Sequence, residues 1–134
     1  MAQGYVDTVE TVEQFLKDIK QILLQEDFCI DSDFYLLREG KIGSTGYKNN
    51  MTIIALDYDR EDICDTLISL TVSDYCETVP DLQYPSQAPL LIFSKVIDSK
   101  EVYIKVNVSH QEDRKVFVLS FHFAERPVKK PYSK

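Results

Sequence analysis

A tyrosine, a lysine and a histidine lie in the last third of the chain, in a pattern that can serve proton transfer and anion stabilisation. Histidine gains or loses a proton near neutral pH, so His122 can act as a general acid or base. Lys105 can stabilise negative charge that develops during a reaction, and Tyr103 can orient a proton or pass it on. The three side chains form a candidate catalytic group if the fold places them on one surface.

The segments that carry these residues are predicted to form an antiparallel meander. Each segment is short, rich in β-branched and aromatic residues, and bounded by turn formers. A two-residue turn at Asp98 and Ser99 sets Ser94 opposite Tyr103. The predicted strands span residues 90–97, 101–109 and 115–123.

The second turn of the meander fixes the position of the histidine. With residues 112–113 at the tip of this turn, His122 lies opposite Tyr103, and Ser120 lies opposite Lys105. A slip of one residue would bury His122 and expose the phenylalanines, so the hydrophobic pattern favours this register.

The register gives the predicted sheet two unlike faces. The first face carries polar and reactive side chains, namely Ser94, Tyr103, Lys105, Asn107, Ser120 and His122. The second face is apolar and is expected to form the core, with Phe93, Val102, Ile104, Val106, Phe117, Leu119, Phe121 and Phe123. Candidate chemistry and candidate core are therefore separated by the sheet.

Helices and loops are predicted to precede the meander. Apolar residues at three-and-four spacing predict a helix at 11–25, and Asp59 is a plausible cap for a second helix that ends near residue 70. The remaining stretches are predicted as a strand fragment at 28–30, a glycine-containing loop at 38–50 and a proline-rich connector at 77–89.

The composition bounds the class of protein. A chain of 134 residues with 44% hydrophobic residues is sufficient for one domain with a sizeable core. No apolar run approaches the ~20 residues that span a bilayer, and the first residues lack a signal-peptide pattern, so we expect a cytoplasmic protein that does not enter a membrane. The three widely spaced cysteines argue against a disulfide framework and a thiolate zinc site, and no metal is expected.

The charge is divided unevenly along the chain. The net charge is -7, but residues 1–88 carry 6 Lys and Arg against 17 Asp and Glu, whereas residues 89–134 carry 9 against 5. The meander and the tail that follows it therefore form the basic part of an acidic protein. Such a division fits a surface for a polyanion, although the acidic part weakens long-range attraction to nucleic acid.

Three segments of the second half resemble the MqsR-like toxins of bacterial toxin-antitoxin systems, a family named for a motility quorum-sensing regulator. These segments are LISLTVSDYC at 67–76, FSKVIDSKEVYIKV at 93–106 and SFHFAERPVKKPY at 120–132. Their order and spacing together carry the resemblance, which extends from about Asp59 to Tyr132 and more weakly from about Phe15.

The resemblance implies an α+β fold of the RelE-like, microbial-ribonuclease type. It predicts a single compact toxin-like domain over 1–134, in which an antiparallel sheet with a three-stranded C-terminal meander packs against N-terminal helices. Its parts are a helical and loop region at 1–88, the meander at 89–123 and a basic tail at 124–134.

The resemblance also implies an activity, namely cofactor-free cleavage of single-stranded messenger RNA that a cognate antitoxin protein restrains. The family's active-site tyrosine falls on Tyr103, and its basic residue after Ser-Phe falls on His122. A polar position of the family falls at or next to Ser94, whereas a lysine of some members falls near Glu77, which reverses the charge. The residues expected to bind the substrate are Ser94, Lys95, Ser120, Arg126, Lys129 and Lys130.

Two other classes of function remain open. A non-catalytic binding protein or inhibitor that keeps the toxin fold would agree with the acidic charge and with Glu77. A transcriptional repressor is disfavoured, because Asp74 and Glu77 occupy the place where a DNA-reading helix needs basic or amide side chains. DNA is therefore not an expected partner.

Overall fold

A five-stranded mixed sheet, covered on one face by helices, forms the framework of the protein. The computed structural model describes residues 4–82, 88–109 and 115–133. The strand order is β1-β5-β4-β3-β2, and β1 runs parallel to β5 whereas the other neighbours are antiparallel. The elements are α1 (Val9–Leu24), α2 (Ile30–Asp33), β1 (Phe34–Leu36), α3 (Thr45–Leu56), α4 (Arg60–Ser69), a 3-10 turn (Val72–Asp74), β2 (Tyr75–Val79), β3 (Leu90–Ile97), β4 (Lys100–Ser109) and β5 (Lys115–Phe123).

The α+β class and the single compact domain are confirmed, but the expectation of a purely antiparallel sheet is wrong. Only the meander and β2 form an antiparallel set, because β1 reaches the sheet from the helical half and pairs with β5 in parallel. The core lies between the sheet and helices α1, α3 and α4, with Ile19, Leu67, Phe93 and Phe121 among its fully buried members. No helix in the described part of the chain is long and apolar enough to cross a bilayer.

The first hairpin of the meander has the predicted register. Ser94 pairs with Tyr103, and Ile97 pairs with Lys100. Asp98 and Ser99 both have positive φ angles, of 52° and 68°, as a two-residue type I′ turn requires.

The second hairpin has the predicted register only beside the candidate site. Tyr103 pairs with His122 and Lys105 with Ser120, as predicted, but the next pair is Val106 with Val118. Leu119 is thus an extra residue on β5, which is the defining feature of a β-bulge. The tip predicted at residues 112–113 lies outside the described residues.

This bulge corrects the predicted core. Beyond it the alternation of β5 is inverted, so Val116 and Val118 are fully buried in the core. Phe117, which pairs with Asn107, lies on the face opposite the helices, and neither Phe117 nor Leu119 belongs to the core cluster. The sequence pattern alone does not reveal this change, because regular alternation along β5 carries no mark of the extra residue.

Helix α3 supplies the hydrogen-bonding partner of β5 where β1 ends. The fully buried Asn49 donates from Nδ2 to the carbonyl oxygens of Leu37 (2.8 Å) and Leu119 (3.0 Å), and its Oδ1 accepts from the amide of Phe121 (2.8 Å). One helical turn later, the Thr52 hydroxyl accepts from the amide of Phe123 (3.2 Å). Side chains of a helix therefore satisfy backbone groups that a neighbouring strand would otherwise pair.

The two helices predicted for the N-terminal half both form, but one of them has a different first residue. Helix α4 begins as predicted, with a capping box in which Asp59 and Asp62 each accept from the other's amide. The helix predicted at 11–25 is confirmed in type but begins earlier, at Val9, because Thr8 caps it by accepting from the Thr11 amide.

Three predictions for the same half are wrong. The strand fragment predicted at 28–30 does not form, since its last residue begins the short helix α2. The loop predicted at 38–50 contains the beginning of α3, which Ser44 caps. The connector predicted at 77–89 contains most of β2, whose pairing with β3 is a tertiary contact that the local sequence does not encode.

Replacing Asn49 by Ala is expected to lower the free energy of unfolding by about 2–4 kcal/mol, because it leaves three buried backbone groups without their partner. Urea denaturation measures the change. Asn50→Ala is the matched control, since the Asn50 side chain accepts from Arg38 at the surface, and its loss should cost well under about 1 kcal/mol. Equal stability of the two variants would contradict the proposed bridging role of Asn49.

Candidate functional site

The predicted catalytic residues lie together on the sheet face opposite the helices, called the outer face below. Tyr103 and His122 are directly paired across β4 and β5, and Lys105 and Ser120 form the next outward-facing pair. The side chains of Tyr103, Lys105 and His122 are all partly exposed, whereas Ser120 is buried. The predicted register is therefore confirmed for these four residues.

Tyr103 and His122 stack on each other. Their ring centroids are 5.3 Å apart, with an angle of 22° between the planes. The Nδ1 atom of His122 lies 3.0 Å from the carbonyl oxygen of Phe123. Since a carbonyl oxygen only accepts, this hydrogen bond assigns the proton to Nδ1 and leaves Nε2 of the neutral ring with a free lone pair. The hydrogen bond to Phe123 thus engages Nδ1 and leaves Nε2 able to accept a proton.

The neighbouring row of the outer face contains charges of both signs. Glu77 pairs with Ile92 across β2 and β3, and Ile92 pairs with Lys105 across β3 and β4. Burial lowers the pKa of Lys105, and the negative charge of Glu77 opposes that change. Burial also raises the pKa of Tyr103, and the nearby Glu77 adds to the effect. Lys105 is thus a partly desolvated cation, and the Tyr103 hydroxyl keeps its proton at neutral pH.

Ser94 is fully buried and already has a hydrogen-bonding partner. Its hydroxyl donates to Oε1 of Glu101 at 2.6 Å, and Nζ of Lys130 lies 3.2 Å from the same oxygen. The contact with Lys130 ties the basic tail to β4. Ser94, expected to bind a substrate, therefore positions a carboxylate that holds the tail.

The tail folds back across the outer face. The Tyr132 ring stacks on Tyr75, with centroids 6.1 Å apart, and its hydroxyl donates to the carbonyl oxygen of Asp7 at 2.6 Å. At the start of the tail, Glu125 forms an ion pair with Lys48 of α3 at 2.6 Å. The tail is thus attached at both ends to the body of the protein.

A cavity of about 650 Å³ lies between the tail and the sheet. This volume is within the range that small-molecule sites occupy. Burial raises the pKa of the Cys76 thiol to about 11, which makes it a poor nucleophile at neutral pH. The side chains relevant to function that line the cavity are Cys76, Glu77, Ile92, Tyr103, Lys129 and Lys130.

The other residues expected to bind a substrate are scattered. Lys95 pairs with the core residue Val102, so alternation places it on the helix-covered face, away from Tyr103. Arg126 and Lys129 are exposed on the tail, and of these two only Lys129 lines the cavity. The structure therefore brings Lys129 and Lys130 to the candidate site and places Lys95 elsewhere.

Two residues of the site were missed by sequence reasoning for different reasons. Glu101 lies two residues before Tyr103, so strand alternation was a sufficient signal to place it on the same face. Glu77 is noted in the sequence for its reversed charge but not as a residue of the outer face, because its place beside Ile92 depends on the tertiary pairing of β2.

The contact between Ser94 and Glu101 predicts a lowered pKa for the Glu101 carboxyl. The Ser94 hydroxyl, with Lys130 in addition, lowers the pKa of Glu101 below its usual value. The lowered pKa of Glu101 stabilises the folded protein, and this stabilisation is fully present when the pH is above the ordinary glutamate pKa of ~4.3. It is lost as the pH falls through the pKa that Glu101 has in the folded protein. We therefore expect attachment of the tail to weaken only in acid, below pH ~4.

An NMR titration of the Glu101 carboxyl carbon measures this pKa. Ser94→Ala and Lys130→Gln should each raise it towards the ordinary value, because each removes a partner of the carboxylate. Lys129→Gln is the control, since the Glu101 ion pair is formed by Lys130 and not by Lys129. A pKa that is the same in the wild type and in the first two variants would contradict the network.

In the described part of the chain, no group of three or more His, Cys, Asp and Glu side chains is arranged to hold a metal ion. Comparisons with family models, with curated proteins and with solved structures found no match for this chain. The side chains of the outer face are the features of the protein that point to a function.

Proposed function

We propose that the protein is an endoribonuclease that cleaves single-stranded messenger RNA in the cytoplasm without a cofactor. The stack of Tyr103 on His122, with Lys105 in the neighbouring row of the same face, is the observation that supports this function most. The resemblance to MqsR-like toxins leads independently to two of these residues, Tyr103 and His122.

The reaction requires a base, an acid and a cation. Nε2 of His122 accepts the proton of the ribose 2′-hydroxyl, and the 2′-oxygen attacks the adjacent phosphorus. The new oxygen–phosphorus bond closes a 2′,3′-cyclic phosphate as the bond to the 5′-oxygen breaks. The Tyr103 hydroxyl, which is protonated at neutral pH, donates its proton to the leaving 5′-oxygen. Solvent then returns the proton from His122 to Tyr103.

Lys105 stabilises the phosphorane through which this reaction passes. A cation that is partly removed from water interacts more strongly with a developing anion than a solvated cation does. Lys105 meets this condition, because it is partly buried on the outer face. Glu77 reduces the benefit by placing a negative charge in the same row, so binding of RNA has to overcome this repulsion.

The basic tail contributes to binding of the RNA backbone. Lys129 and Lys130 face the cavity beside Tyr103, and Arg126 adds a cation where the tail begins. We include in the proposal a RelE-like, microbial-ribonuclease type of fold and restraint of the enzyme by a cognate antitoxin protein.

The direct test is incubation of the pure protein with single-stranded RNA in the presence of EDTA. We expect cleavage by the wild type and a loss of roughly 100-fold or more in His122→Ala, because the general base is removed. His110→Ala, which replaces the other histidine of the chain, is the control and should retain activity. Absence of cleavage by the wild type, or equal cleavage by His122→Ala, would refute the catalytic proposal.

A second candidate function is binding of a basic protein, and the helical half provides the observation that favours it. A cavity of about 380 Å³ lies where the end of α1 meets α4. Apolar side chains that include Phe28 and Ile68 form its lining, and the exposed Leu24 adjoins them. Glu61 and Asp65 add carboxylates to the same lining, which suits a partner segment that carries both apolar and basic side chains.

Expression in a bacterial host separates the two functions. An RNA-cleaving protein should arrest growth, and His122→Ala should relieve the arrest, whereas a non-catalytic binding protein should be harmless. Under the second function, a co-purified protein partner should be lost from a Glu61→Lys, Asp65→Lys variant and kept by a Glu10→Lys, Glu13→Lys variant of α1. Growth arrest by the wild type that His122→Ala relieves would refute the second function, which predicts a harmless protein.

A further inference from the structure

We propose that Tyr35, Phe117 and Lys115 form a second RNA subsite, in which a base of the single-stranded substrate stacks several nucleotides away from His122. This inference rests on the proposed function and adds to it a place where a distant part of the RNA is bound. The subsite lies on the outer face, at the sheet edge that β1 forms.

The two aromatic rings of the subsite are adjacent and accessible. Tyr35 pairs with Phe117 across the parallel strands β1 and β5, and their ring centroids are 5.9 Å apart at an angle of 51°. The side chain of Tyr35 is 48% exposed, although both of its neighbours in β1 are buried. An exposed aromatic ring backed by a second ring presents a fixed apolar surface on which a base can stack.

The β-bulge at Leu119 is the reason that Phe117 contributes to this surface. Without the extra residue, alternation along β5 would turn Phe117 towards the helices. The bulge instead keeps both Phe117 and His122 on the outer face, although they are five residues apart in the strand. The bulge therefore removes Phe117 from the core and adds its ring to the aromatic surface of the outer face.

One cation lies between the two stacking positions, and another lies beyond Phe117 on the same face. Lys115 pairs with Ser109 and precedes Phe117 by two residues, so alternation places it on the outer face beside the ring. Lys105 lies on the same face between Phe117 and the stack of Tyr103 on His122. At about 3.3 Å per residue, the two stacking positions are roughly 16 Å apart along β5.

Single-stranded RNA is the occupant that this arrangement fits. Successive bases stack on aromatic side chains, and lysines contact the phosphates that join them. Stacked neighbouring nucleotides are about 3.4 Å apart along one strand, so a separation of roughly 16 Å places the subsite beyond the nucleotides that flank the scissile bond. Short substrates should therefore not use it.

The experiment measures binding and cleavage of labelled single-stranded RNA of two lengths, a dinucleotide and a dodecamer. Tyr35→Ala should weaken binding of the dodecamer roughly 5- to 150-fold, because it removes one base-stacking contact. Tyr35→Phe should bind as the wild type does, and cleavage of the dinucleotide should be unchanged in both variants. Tyr5→Ala is the matched control, since Tyr5 is 47% exposed and pairs with Thr78 of β2, at the opposite edge of the sheet.

Lys115→Gln provides a second measurement that does not depend on the aromatic pair. It should reduce the slope of the logarithm of affinity against the logarithm of salt concentration by roughly 0.7 for the dodecamer. Binding of the dodecamer that is unchanged in Tyr35→Ala, together with an unchanged salt slope in Lys115→Gln, would overturn the subsite.

The outcomes also separate the subsite from the proposed function. Cleavage of the dodecamer with an unchanged KM in Tyr35→Ala would overturn the subsite and leave the endoribonuclease standing. RNA that is bound through Tyr35 but not cleaved by the wild type would support the subsite and refute catalysis. A wild-type protein that binds no RNA would refute both.

Discussion

The amide side chain of Asn49 is the interaction on which the candidate site depends. It joins helix α3 to the backbone of β5 on either side of Ser120, through Leu119 and Phe121. Strand β1 is too short to pair with this part of β5, so the buried backbone groups need another partner. A side-chain amide can supply both a donor and an acceptor, which is why a single residue can replace a segment of strand.

The same contact explains why the bulge at Leu119 is tolerated. A bulge leaves backbone groups out of the regular ladder. Here the Asn49 side chain donates to the carbonyl oxygen of Leu119, the extra residue, and accepts from the amide of Phe121. The strand can therefore change its alternation without leaving buried polar groups unsatisfied. Before the bulge β5 presents Phe117 on the outer face, and after it the strand presents His122 there.

The site could be predicted from sequence to the extent that it depends on local hairpins. The turn at Asp98 and the hydrophobic alternation fix the partners of Tyr103, because a hairpin relates residues that are close in the chain. Asn49 could not be identified, since its role depends on strand backbone that lies 70 residues away. Glu77 was assigned to the wrong element for the same reason, because the pairing of β2 is not encoded locally.

The position of the tail decides how the charge division along the chain acts in the folded protein. Lys130 is paired with Glu101, and Glu125 is paired with Lys48, so part of the tail's charge is used to attach it to the body. Lys130 therefore counts among the cations of the second half of the sequence, but in the folded protein it is already paired at the outer face. A polyanion that binds there contacts Lys129 beside Tyr103 and has to compete with Glu101 for Lys130. Its binding therefore depends more on salt concentration and on the positions of these lysines than on the total charge of the chain.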